Sequence, residues 1–164
     1  MKGVDALIAS VLIILISVTA IFIALQLGNS STQREKEILL IQEGKSNLIT
    51  IDNAVKNVLA EGEGSARALR LTVSGGYYSI DNATNSILFS MESGAQIVGV
   101  GISKIEDGIN ITGAANIVYL SLYFSNIQLA GKGEFGRGTF TITVRNDGYN
   151  ATSQKQIIYI SPLP

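Results

Sequence analysis

The chain contains no cysteine and no histidine, and it carries little charge: 15% of its 164 residues are Asp, Glu, Lys or Arg. Without Cys there is no disulfide, no thiolate nucleophile and no thiolate zinc site. The compartment stays open, because a disulfide-free domain is stable on either side of a membrane. Without His the chain lacks the commonest general base and the commonest metal ligand. Neither a Ser-His-Asp triad nor an imidazole metal site can be built from it alone. With 12 basic against 13 acidic residues the net charge is −1 and no basic run occurs, which removes the electrostatic footprint of a nucleic-acid binder. Neither enzymatic activity, nor a cofactor, nor a metal, nor a small-molecule substrate is expected.

What the chain has in abundance is apolar surface. Hydrophobic residues make up 46% of it, and they are concentrated near the N-terminus. From Ala6 to Leu25 the run is broken only by Ser10, Ser17 and Thr19, whose hydroxyls can bond back to helix carbonyls. As a helix this run spans about 30 Å, the thickness of a bilayer hydrocarbon core. It exceeds the roughly 7–15 apolar residues of a secretory signal peptide. Cutting after Ala20 would also leave Ile21-Phe22-Ile23 at the new terminus. The expectation is a retained membrane-inserting helix. Lys2 before the run and Arg34 and Lys36 after it leave orientation unsettled by Lys/Arg counting.

Gly28-Asn29-Ser30-Ser31-Thr32 interrupts the pattern. Gly28 reads as a hinge, and Thr32 with Glu35 as a capping box that restarts a helix. Ile38, Ile41, Leu48, Ile51, Val55, Val58 and Leu59 then recur at helical spacing as one apolar stripe. Gly62-Glu63-Gly64 ends that second helix. Beyond it the period changes to two. Strands are expected at 68–73, 77–81, 86–91, 96–103, 109–112, 116–124, 139–145 and 155–160. Turns fall at Gly75-Gly76, Asp81-Asn82, Ser93-Gly94, Asp107-Gly108 and Asn146-Asp147-Gly148. Alternation such as Thr139 to Val144 marks strands with one wet face, the habit of antiparallel sheets. The expected fold class is α+β: a long N-terminal transmembrane α-helix followed by an antiparallel β-sandwich-like head. The segments are 1–3 ahead of the apolar run, 4–27 apolar helix, 28–61 hinge and amphipathic helix, and 65–164 β-rich head.

Local motifs add little chemistry. Gly131-Lys132-Gly133-Glu134-Phe135-Gly136 matches G-x-G-x-x-G, but a dinucleotide site needs a helix after it, and here a strand follows. A mobile glycine-rich loop is the better account. Sequons occur at Asn29, Asn82, Asn110 and Asn150. Asn82, Asn110 and Asn150 are the N-glycosylation candidates, Asn82 and Asn150 the best because they sit in expected turns; together they favour an extracytoplasmic head. The carboxylates cluster only at Glu106-Asp107 and Glu61/Glu63, too few for a calcium loop, and solvated surface is expected there. Tyr77, Tyr78, Tyr119, Tyr123 and Phe124 are assigned to the core.

One feature of the N-terminus remains. Met1-Lys2-Gly3 sets a single basic residue and a glycine directly before Val4-Asp5 and the apolar run. This leader resembles the class III signal peptide of type IV pilins and archaellins. The archaeal members are the closer resemblance, since Asp5 would be the second mature residue whereas bacterial pilins place a Glu several positions further in. The resemblance implies a pilin-like fold and a prepilin-peptidase-like enzyme that cuts between Gly3 and Val4. It implies a helix retained as filament core, including Ala6, Ile13, Ile16, Ala20 and Ile23. Asp5 would pair with the freed amine of Val4 or of a neighbouring subunit. It also implies a homo-oligomeric helical filament: a precursor in the cell membrane, then an extracellular filament at the cell surface for adhesion or motility. The alternative expectation is a monomeric, single-pass membrane-anchored surface binding domain, or a minor pilin or assembly factor.

Overall fold

The computed structural model describes residues 2–94, 98–131 and 133–163; the side chains at 2–9, 27, 29–31 and 163 lie outside what is described. The chain divides into two compact units, Met1–Lys36 and Glu37–Pro164. One α-helix, α1, runs Lys2–Glu61. The expected break at Gly28 does not occur, and magnitudes explain why. Gly28 and the four polar residues after it forfeit roughly 3 kcal/mol of helix propensity relative to Ala. Stopping and restarting a helix costs a fresh nucleation, about 4 kcal/mol for a nucleation constant near 10⁻³. Thr32 caps nothing: its hydroxyl donates to the Gly28 carbonyl at 2.9 Å, one turn back inside the helix.

The true end of α1 lies at Glu61. Gly62 and Gly64 follow with φ of 92° and 85°, the left-handed conformation that terminates helices. The Ser65 Oγ lies 2.7 Å from the carbonyls of both Val58 and Gly62, and the buried Asn146 donates to Val58 at 3.3 Å. Carbonyls that α1 leaves open are thus satisfied by the head.

Ten strands follow: β1 (Ala66–Val73), β2 (Tyr77–Asp81), β3 (Ser86–Glu92), β4 (Ser103–Glu106), β5 (Ile109–Ala114), β6 (Ile117–Tyr123), β7 (Ile127–Ala130), β8 (Glu134–Phe135), β9 (Gly138–Asn150) and β10 (Lys155–Leu163). They form a four-stranded sheet in the order β1-β9-β10-β7 and a six-stranded sheet in the order β4-β5-β6-β3-β2-β8. The inward residues of both sheets and the α1 stripe Leu48, Ile51, Ala54, Val55 and Val58 make one buried cluster. Within it Tyr78, Phe89, Phe135 and Phe140 form an aromatic chain with centroids 4.8 to 5.4 Å apart. It links β9 of one sheet to β8, β2 and β3 of the other.

The expected fold class is corrected in two respects. Among the described residues no helix is long and apolar enough to cross a membrane. The head is also not wholly antiparallel, because β7 pairs with β10 in parallel. The short Ile127–Ala130 stretch showed no strand signal of its own and is held by its neighbour.

Two smaller differences concern turns and strands. Asn146-Asp147-Gly148 is not a turn but lies within β9. Against β10, Gln156 faces Tyr149 while Ile158 faces Asn146, so β9 carries one extra residue there. Gly148, at φ 96°, supplies the backbone such a bulge needs. The strand expected at 96–103 is replaced by an isolated Val100–Gly113 bridge and by β4, which starts at Ser103; residues 95–97 lie outside the described ones.

Candidate assembly surface

Within α1, residues 10–26 contain no charged side chain. Eleven large apolar residues between Val11 and Leu25 are exposed, from Ile23 at 51% to Ile13 at 64%. The hydroxyls of Ser17 and Thr19 are turned back on the helix. Ser17 Oγ donates to Ile13 O at 2.8 Å and Thr19 Oγ1 donates to Leu15 O at 2.7 Å, so neither hydroxyl needs a partner from outside. Covering these side chains would gain on the order of 10 kcal/mol or more, at about 25 cal/mol per Å² of apolar surface. A contiguous exposed apolar patch of this extent marks an interaction surface.

The surface runs all the way round. Ile13, Ile16, Ala20 and Ile23, expected in a filament core, are all exposed. Val11, Ile14, Leu15, Val18 and Thr19 line a shallow apolar groove of about 440 Å³. At about 100° per residue these two sets lie on opposite sides of the helix. The groove residues follow the i, i+3, i+4, i+7 spacing into which the side-chain ridges of another helix pack. The sites expected at Gly3, Val4, Asp5 and Ala6 fall on side chains outside the described ones, and Gly28 is a helical residue whose surroundings leave open space.

The remaining candidates lie on the head and do not converge. Asn82 is exposed in the β2–β3 turn. Asn110 accepts from Ser103 Oγ at 2.5 Å. Asn150 donates to Gln128 and accepts from the Thr152 amide, so its side chain is already used at both ends. The glycine-rich segment 131–136 runs from the end of β7 through β8 toward β9, with no helix after it, and is thus part strand and not only a loop. Gly131, at φ 119°, is pressed against the Ile160 backbone, and a side chain at Gly136 would strike the Tyr77 ring. These glycines serve close packing; Lys132 lies outside the described residues. Of the aromatics assigned to the core, Tyr78 is fully buried, whereas Tyr77 and Tyr123 are 68% and 58% exposed. Strand parity places both on the outward face of the six-stranded sheet.

Two charged arrangements carried no sequence signal, because each joins residues far apart in the chain. Lys45 Nζ sits 2.6 Å from Glu106 and 2.7 Å from Asp107, clasping α1 to the β4–β5 turn. The Asp107 and Glu106 carboxylates raise the Lys45 pKa; Lys45, with Lys104 beside it, holds Glu106 below the usual carboxylate range. Glu37 is buried and accepts from Ser93 Oγ at 2.8 Å and from the Gly94 amide at 3.2 Å. Glu61, expected to be solvated, pairs with Arg67. Burial pushes the Tyr78 phenol up, and its hydroxyl donates to Gly44 O at 3.3 Å. Among the described residues no group of acidic side chains is arranged to hold a metal ion. Compared with known proteins, the chain matches no family model, no curated protein and no solved structure.

Proposed function

We propose that this chain is the structural subunit of an extracellular filament of the type IV pilus kind, polymerising through its N-terminal apolar helix and serving adhesion or motility. The observation that carries this reading is the all-round exposure of apolar side chains over 10–26. A helix with one apolar stripe is satisfied by one partner; a helix apolar on every side needs several at once. Copies of the same chain in a helical array provide them, and every copy brings the same surface. Before assembly the precursor resides at the cell membrane, and a prepilin-peptidase-like enzyme removes Met1–Gly3.

The test is N-terminal peptide mass spectrometry on protein sheared from the surface of the native cell, with electron microscopy of the same fraction. Filaments whose subunits begin at Val4 are the expected result. An intact N-terminus found only in membranes, with no filaments, overturns the reading and leaves a monomeric anchored surface domain.

A further inference from the structure

The outward face of the six-stranded sheet is not a plain solvated surface. Register places Glu134, Ser79, Leu88 and Ser121 side by side across β8, β2, β3 and β6, and Asp81, Ser86 and Tyr123 in the next row. Together they line an open groove of about 460 Å³, within the range of small-ligand sites. Its floor is polar yet withdrawn from solvent: Ser86 is 5% exposed and Ser121 is 7% exposed. Ser86 is satisfied by Thr84, whose hydroxyl lies 2.7 Å away. Among the described residues the Ser121 hydroxyl has no protein partner, although it lines the groove. The hydroxyl opens onto the groove from a residue that is otherwise buried, so water or a bound ligand supplies its partner.

The groups around Ser121 define what that ligand offers. Glu134 has neither a hydrogen bond nor an ion pair among the described residues, so its carboxylate can only accept. Asp81 already accepts from the Ala83 amide and the Thr84 hydroxyl, which hold it ionised. Two carboxylates on one groove repel anions and favour a ligand rich in O–H donors. Tyr123, 58% exposed, and Leu88 add an apolar ring face and an aliphatic wall on the same side. A pyranose ring has this composition, with hydroxyls around its rim and C–H groups on its face.

From this we infer that the groove is a binding site for a neutral saccharide, with the Tyr123 ring against the sugar's C–H face, Glu134 accepting from sugar hydroxyls and Ser121 completing the floor. The site belongs to a single chain and does not depend on filament assembly. The Asn82 sequon adjoins Asp81 at its rim, so the sugar has two sources: a glycan carried by the chain itself, or one on a foreign surface.

The test is binding of the full chain, held in a detergent without a sugar headgroup, to an array of neutral and acidic oligosaccharides, followed by titration of the best neutral one. Binding is expected to be confined to neutral sugars and insensitive to salt. Tyr123→Ala, at an exposed site and expected to leave thermal unfolding unchanged, is expected to weaken binding about tenfold or more, and Glu134→Gln to weaken it by a smaller factor. Asn82→Gln separates the sources: unchanged affinity for added sugar points to a foreign glycan, and affinity that appears only in the variant points to the chain's own. No neutral sugar bound by either form, or affinity indifferent to Tyr123→Ala, overturns the inference.

Discussion

Residues 10–26 and residues 37–61 belong to one helix, yet they are built on opposite plans. In the second stretch apolar residues other than the exposed Leu39 keep to one stripe, and Leu48, Ile51, Val55 and Val58 are buried in the core shared with both sheets. In the first they occupy every side and none is buried. Helicity is the same in both, so backbone preference does not distinguish them. What differs is whether the chain covers the side chains: its own head does so in one case, and no described residue does in the other. A hydrophobic run therefore says little about its burial until its angular distribution is set against the partners within reach.

That comparison can be broken most sharply from the exposed side. Ile16→Lys places a charge where copies of the helix would pack, at a cost of several kcal/mol per buried contact. It is expected to abolish filaments seen by electron microscopy while leaving head unfolding unchanged; filaments of normal appearance would remove the surface from the assembly. On the buried side, Leu48→Ala is expected to lower head stability by about 3 kcal/mol in chemical denaturation. Gly44→Ala probes a close approach of α1 to β3, since an added Cβ would meet the Phe89 ring at 2.6 Å. The overpacking cost of roughly 1–3 kcal/mol is offset by about 1 kcal/mol of helix propensity, and a small net loss of stability is expected in the same assay.

The smallest effect is electrostatic. The Glu106 pKa is lowered in the fold, chiefly by Lys45, from an ordinary value of 4.5. Its contribution is therefore present above that value and is lost as pH falls through the folded pKa. The Lys45 pKa is raised, chiefly by Asp107, above 10.5. That contribution is present below 10.5 and is lost as pH rises through the folded pKa. Lys45→Met is expected to lower the melting temperature slightly at pH 7, and the gap from the parent is expected to close as pH falls through the folded pKa of Glu106. A gap that persists in acid would mean that the stem of Lys45, not its charge, matters.

Much of the head was legible in the sequence because alternation and burial coincide: Thr139 to Val144 reads as a strand and is one. The α1 stripe was legible for the same reason at a different period. Errors arose where a local signal met a stronger non-local one. Gly28 has the chemistry of a stop, but the helix on either side outweighs it. Asn146-Asp147-Gly148 has the chemistry of a turn, but Asn146 is drawn into the core, where it donates to Val58 and accepts from the Gly148 amide. The saccharide groove was not legible at all. Ser79, Leu88, Ser121 and Glu134 have no spacing in common, and only strand order brings them into one row.

Sheet order also sets a timetable for synthesis. β1 is translated early, but Ala66 pairs with Arg145 and Val73 with Gly138, and β7 acquires its parallel partner only when Gln156 to Tyr159 have been made. Between Val58 and Ile160, both core residues, translation takes roughly 5–20 seconds at about 5–20 residues per second. Throughout that interval the α1 stripe has been made and nothing yet made can cover it fully. A nascent chain of this topology presents apolar helix along its whole length until its last strands arrive, so a chaperone or targeting factor that recognises such helices has its opportunity before the head exists.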